Sequence, residues 1–336
     1  MHSRLLTGAD LLHSAYLMVD IFFVMSGFVI ALNYEERLIS GLYLKQFLCR
    51  RVIRLWPIWA TGVASGALVE IAFDHRLHHD AAVLASAGGS LLFLPLPISP
   101  YLFPYNMPGW SIFFEVIVNL AYAAGLRHLS GFRIRALTVL LASTLCILGL
   151  RYGGLNGGAT WDTILIGLAR SSYGFFCGVL LFRMGFHPHP RRAWLLCPAL
   201  LLVPILSRYV PPADARPFYD LACVMLVSPL TVGLCVAAGG KFRTLSGWLG
   251  TISYPLYVIH FPVIMGAFYL WRSFGRALVP SDFFRLTVVA AAIAAAYGLA
   301  RADSVIRSGL IGSERLTRIL QVSEFVSRRA ARGRLR

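Results

Sequence analysis

Nine apolar segments recur along this chain, at 16–34, 53–73, 110–126, 136–150, 163–183, 193–208, 219–239, 249–271 and 284–302. A helix that crosses the hydrocarbon core of a bilayer needs about 20 mostly apolar residues. The spacing therefore predicts an all-α, polytopic membrane helix bundle with about nine transmembrane helices. A further apolar stretch, 81–96, is shorter and contains Gly88 and Gly89. No alternating pattern of the kind that marks strands recurs.

Composition agrees. Hydrophobic residues make up 57% of the 336 positions and charged residues 14%, against about 25% charged in soluble domains. Mean hydropathy is +0.68. A net charge of +16 would suit a nucleic-acid binder, but the basic residues sit in short clusters between apolar runs, which is the pattern of cytoplasmic membrane loops. Nucleic acid is excluded as a partner on that ground. Five of the six cysteines (Cys146, Cys177, Cys197, Cys223 and Cys235) lie inside apolar runs, and Cys49 lies in a basic loop. Without a metal-type spacing they read as small buried hydrophobes. Nothing calls for a metal.

Topology follows from arginine and lysine. Arg37, Lys45, Arg50, Arg51 and Arg54 form one basic cluster, Arg127, Arg133 and Arg135 a second, Arg183, Arg191 and Arg192 a third, then Lys241 and Arg243, then the tail. All are expected on the cytoplasmic side. Alternation holds from 110–126 onward. Between the first two clusters it holds only if 81–96 is a re-entrant or half-crossing element, which Gly88, Gly89, Pro95, Pro97 and Pro100 favour. The expected domains are a membrane domain at 1–302 and a basic cytoplasmic tail at 303–336. The first span then runs from outside to inside without a signal peptide before it, and a further helix upstream of Met1 is the expected remedy.

Ionisable groups within spans are expensive and mark functional candidates. Asp20 opens the first span. Glu115 lies in "GWSIFFEVIVNLAYA", with Ser111 four residues before it and Asn119 four after, all on one helix face. Arg170 interrupts "TILIGLARSSYGFFCG", and His260 ends the stripe Ser253, Tyr257, His260 in "ISYPLYVIHFPVI". Each has a structural reading too. Glu115 and Arg170 can pair as an ion pair, His260 can be a hydrogen-bonded core histidine, Asp20 can anchor a helix end, and the stripe can be interhelical glue. In "CRRVIRLWPIW", Arg51 and Arg54 share a face at the cytoplasmic mouth of a span. They serve either topology or an anion site, because guanidinium forks bind phosphates.

Taken together, "VDIFFVMSGFVIAL", "RRVIRLWPIW", "PGWSIFFEVIVNLAYA", "SYGFFCGVLLFR" and "LGTISYPLYVIHFPV" resemble, in order and spacing, the integral-membrane acyltransferase family 3, bacterial O-acyltransferases that decorate exported glycans. The resemblance implies ten transmembrane helices in the bacterial inner membrane. It implies acyl-CoA, most simply acetyl-CoA, as cytosolic co-substrate and a carbohydrate acceptor on the far side, with membrane lipid around the bundle. The family's first helix carries an arginine and a proposed catalytic histidine directly before the "VDIFF" segment. His2, seventeen residues before Val19, suits that histidine, and His13 is the rival. Most of the first helix would then lie upstream of Met1.

Under this resemblance His2 is the base or acyl carrier, oriented by Asp20 or Glu115, with His260 as the second candidate. Arg51 and Arg54 hold the donor's phosphates. Trp110, Ser111, Arg170, Ser253 and Tyr254 are candidates for the substrate or the developing oxyanion. The C-terminal "RADSVIRSGL" departs from the family, with Val305 where proline is usual beside Asp303 and Arg307. The alternatives are a polytopic glycan-lipid transporter and an inactive, truncated acyltransferase.

Overall fold

The computed structural model describes residues 14–73, 80–185, 214–238, 243–275 and 281–311, with isolated positions at 200, 203 and 212. His2, His13 and all of the expected span 193–208 but positions 200 and 203 lie outside the described residues. The described chain is all helical. A 3₁₀ turn at Ala15–Leu17 leads into α1 (Met18–Ile39), followed by α2 (Leu44–Phe73), α3 (Asp80–Leu91), α4 (Gly109–Gly125), α5 (Gly131–Tyr152), α6 (Ile164–Arg183), α7 (Arg216–Ala222), α8 (Ser228–Ala238), α9 (Arg243–Leu270) and α10 (Ser281–Ile311). A π-helical turn, Cys223–Val227, joins α7 to α8. Seven helical stretches are long and apolar enough to cross a membrane, and α4, with 17 residues, is a shorter apolar helix. With 193–208 set aside, these eight account for the other eight expected spans. The chain is a multi-pass membrane protein.

The helix α3 has 12 residues, about 18 Å of rise against a hydrocarbon core of about 30 Å. It stops where Phe93 takes a left-handed φ of 58°. A half-crossing length is what the topology argument required. The last helix, α10, continues to Ile311, beyond the expected domain boundary at 302.

Two compact units divide the described chain. One joins Cys49–Trp110 to Phe242–Arg318, and the other joins Thr7–Leu48 to Ser111–Lys241. In the first unit, Trp59 is fully buried, donates its indole N–H to the Ser90 carbonyl at 2.9 Å, stacks on Phe93 and meets Phe103 edge-on. Gly109 leaves room for that indole, since a Cβ there would lie 2.3 Å from the ring. On α10, Val288, Ala292 and Ala296 are buried, while Phe283, Leu286, Val289 and Ile293 are exposed. Such an apolar outer face suits lipid.

In the second unit, α1 and α6 pack with their backbones nearly touching. A Cβ on Gly178 would lie 2.0 Å from the Val24 carbonyl, one on Gly27 1.9 Å from the Phe175 carbonyl, and one on Gly174 2.7 Å from the Phe23 Cβ. Small residues at membrane helix interfaces permit this approach, and Gly174 and Gly178 have the four-residue spacing of that device. Phe28 meets Phe182 edge-on further along. Contacts advance together along both chains, so α1 and α6 run parallel, in agreement with the topology read from the basic clusters.

Of the cysteines, Cys49, Cys146, Cys177 and Cys223 are free thiols. Cys235 is disulfide-bonded, so its reading as a small buried hydrophobe is corrected.

Candidate functional site

The second unit contains a buried charged cluster. Arg170 of α6 donates Nε to Asp20 Oδ1 at 3.0 Å and Nη2 to Asp20 Oδ2 at 2.6 Å. Its remaining N–H groups go to the carbonyls of Leu155, Gly157 and Tyr16 at 3.1, 3.0 and 2.9 Å. A guanidinium has five N–H donors, and the protein itself engages all five. Arg170 is therefore reassigned from substrate or oxyanion candidate to an internal pin. The pairing of Arg170 with Glu115 entertained from sequence is also corrected, since its partner is Asp20. Both Asp20 oxygens accept from the guanidinium, and His2, which Asp20 or Glu115 was expected to orient, lies outside the described residues.

The cluster extends through Tyr16, which sequence reasoning missed. Two guanidiniums lie over its ring, Arg170 at 5.6 Å and Arg216 at 5.4 Å from the centroid. Its hydroxyl donates to Asp220 Oδ2 and accepts from Arg216 Nη2 at 2.9 Å. Asp220 also accepts the Leu155 backbone N–H at 2.7 Å. Arg216 and Asp220 stand four residues apart at the head of an apolar run, a visible signal. Their partner Tyr16 lies some 200 residues away, where no local pattern reaches. At the other end of the α1–α6 seam, Arg183 donates to Glu35 at 3.0 Å, and Tyr122 of α4 donates to the same carboxylate. The two parallel helices are thus pinned by an ion pair at each end.

Glu115 has different company. The hydroxyl of Ser26, in the middle of α1, donates to Glu115 Oε1 at 2.8 Å. Ser111 and Asn119 flank Glu115 on α4, 4% and 1% exposed, while Glu115 and Ser26 are partly open. This is a second polar contact between α1 and α4, beside that of Tyr122 with Glu35. Ser26 lay unremarked in the "VMSGFV" run.

The first unit brings together three other segments singled out from sequence. The Tyr254 hydroxyl donates to the Leu55 carbonyl, one residue past Arg54, at 2.7 Å, and the Tyr257 hydroxyl donates to the Pro108 carbonyl at 3.1 Å. Asn106 Nδ2 donates to the Val258 carbonyl at 2.9 Å. That last bond has a cause in the sequence. The Val258 carbonyl would ordinarily accept from the N–H four residues on, and that residue is Pro262, which has none. An unpartnered carbonyl within a membrane is costly, and Asn106 supplies the donor.

His260 lies on the same helix, its Nδ1 at 3.1 Å from the Leu256 carbonyl. A carbonyl only accepts, so Nδ1 is the donor in this contact. Ser253 donates to the Gly250 carbonyl within α9 at 3.1 Å. Arg51 is buried, whereas Arg54, three residues on, is exposed. Trp110 is buried at the start of α4. Thus Arg51, Arg54, Trp110, Ser253, Tyr254 and His260 belong to one unit, and Asp20, Ser111, Glu115 and Arg170 to the other.

A groove of about 540 Å³ lies beside α4, lined by Leu44, Lys45, Leu48, Leu120, Ala121 and Ala124. Its walls are apolar apart from Lys45, and none of the polar residues above lines it. It is not part of the polar site.

A helical membrane chain with buried charges, a Ser–Glu pair and an arginine pair at a helix mouth defines a class, and the sequence comparisons give that class its family. The acyltransferase family 3 profile, described as an acyltransferase domain, matches residues 7–301, and the chain belongs to this family. It is 34% identical over 126 residues to protein 2 in the picA locus of Rhizobium radiobacter, a match that covers 33% of this chain and 65% of that protein. It is 33% identical over 113 residues to the exopolysaccharide production protein ExoZ of Rhizobium meliloti, covering 32% of this chain and 33% of that protein. The chain thus spans less than two thirds of the length of either curated relative. No solved structure matches it.

Proposed function

We propose that the protein is a membrane O-acyltransferase that moves an acyl group, acetyl in the simplest case, from cytosolic acyl-CoA to a hydroxyl of an extracytoplasmic or lipid-linked glycan in the bacterial inner membrane. The observation that carries this reading is the acyltransferase family match over residues 7–301 of a multi-pass helical chain. The name of the exopolysaccharide production relative supports a polysaccharide acceptor.

In this reaction the acyl C–S bond breaks, a C–O bond to the sugar forms, and the hydroxyl proton leaves through a base to the departing thiolate. Arg51 and Arg54 supply cations for the donor's phosphates. His2 is the base, with His260 as the alternative proton acceptor. Ser111 or Trp110 offers a hydrogen bond where charge develops, while Ser26, Ser253 and Tyr254 give their hydroxyl protons to Glu115 and to the Gly250 and Leu55 carbonyls.

Acetyl-labelled acetyl-CoA supplied to the cytoplasmic face of membrane vesicles carrying the chain tests the reading. Covalent label on a glycan is expected. Glycan movement across the bilayer without covalent label identifies a transporter instead, and absence of both identifies an inactive remnant.

A further inference from the structure

Asn119 stands on α4 one helical turn beyond Glu115 and is 1% exposed. Neither its amide nitrogen nor its carbonyl oxygen hydrogen-bonds to any described residue. Its neighbours Val118 and Tyr122 belong to an apolar cluster with Ile30, Ala31 and Phe175. A carboxamide brings two donors and two lone pairs, and burying them unspent is unfavourable. Leucine would fill the same place without that cost. The chemistry that satisfies a carboxamide on both atoms is a second amide, whose carbonyl takes the N–H and whose N–H meets the oxygen.

Position on the helix says which amide. From Asn119, α4 runs to Gly125 and then to the basic cluster Arg127, Arg133 and Arg135 on the expected cytoplasmic side. Asn119 therefore stands nearer the expected cytoplasmic side than Glu115 and the Ser26 hydroxyl held there at 2.8 Å. The rise between Asn119 and Glu115 is one turn, about 5.4 Å. In an acyl-CoA donor, a secondary amide is joined to the thioester sulfur by an ethylene link of comparable reach.

We propose that Asn119 is the seat of this pantetheine amide, so that the thioester carbonyl comes to rest beside Ser26 and Glu115. The proposal rests on the acyl-CoA reading above and deepens it. A sugar hydroxyl also offers a donor and an acceptor, but in that reading it arrives from the opposite side.

The test compares three donors in vesicles carrying the full chain. Acetyl-CoA has the amide and the phosphates, S-acetyl-N-acetylcysteamine has the amide alone, and S-ethyl thioacetate has neither. The wild-type chain is expected to prefer the cysteamine thioester to the ethyl thioester by about tenfold in kcat/KM, or about 1.4 kcal/mol. Asn119→Leu erases that preference by lowering the amide-bearing donors only. Asn119→Ser, which adds no bulk, does the same and decides the matter should the leucine variant fail to fold. Persistence of the preference in both variants overturns the assignment. So does an equal fall for all three donors, which marks a structural role, and so does a change confined to the acceptor's KM. If the wild-type chain transfers from none of the three thioesters, the donor reading itself is wrong and the seat falls with it.

Discussion

Asp20 and Arg170 meet through two parallel hydrogen bonds, at 3.0 and 2.6 Å, with side chains 0% and 1% exposed. They sit at the head of the α1–α6 seam, and Glu35 and Arg183 close its other end at 3.0 Å. Between the two pairs the helices touch through glycine.

Removal of one member of the Asp20–Arg170 pair leaves a buried charge without its partner. Asp20→Ala is expected to destabilise the chain by about 3–5 kcal/mol, read as loss of folded material in detergent thermal melts. The double variant Asp20→Leu with Arg170→Met is expected to recover much of that loss. A double variant as unstable as the sum of the two singles would contradict this account.

Gly178 tests the close approach of the two helices. A Cβ there meets the Val24 carbonyl at 2.0 Å, whereas one at Gly125 meets nothing within 4 Å. Gly178→Ala is expected to cost upwards of ~2 kcal/mol, with Gly125→Ala close to neutral on the same melt. Equal melting temperatures for the two would show that the seam yields.

The Asn106–Val258 bond predicts a rescue. Asn106→Ala strands the Val258 carbonyl and is expected to cost about 1–3 kcal/mol. Pro262→Ala restores an N–H four residues on, so the double variant is expected to be more stable than Asn106→Ala alone. Thermal melts of the four members of the cycle measure the coupling, and strict additivity would count against the proline argument.

The arginine pair predicts a divided outcome. Under the proposed function, Arg51→Ala and Arg54→Ala each raise the KM for acetyl-CoA by about tenfold, the scale of one lost charge-assisted contact. Buried Arg51 is expected to lose stability as well, and exposed Arg54 is not. Acetyl-CoA saturation curves beside thermal melts separate the two effects, and unchanged KM in both variants removes the arginine pair from the donor site.

Residue order by itself determined the helices, the membrane class and much of the topology. A backbone in lipid must satisfy its hydrogen bonds internally, and that demand writes itself locally as runs of about 20 apolar residues. The short helix at 80–91 was also legible, through its glycines and the prolines that follow. Only the tertiary structure decided which polar group meets which. Sequence offered Glu115 to Arg170, and the fold gave Arg170 to Asp20, 150 positions away. It gave Glu115 to Ser26, Glu35 to Arg183, and the carbonyl left by Pro262 to Asn106. Such pairings depend on how closely helix backbones approach, and that distance is set by glycine notches and side-chain packing across the seam.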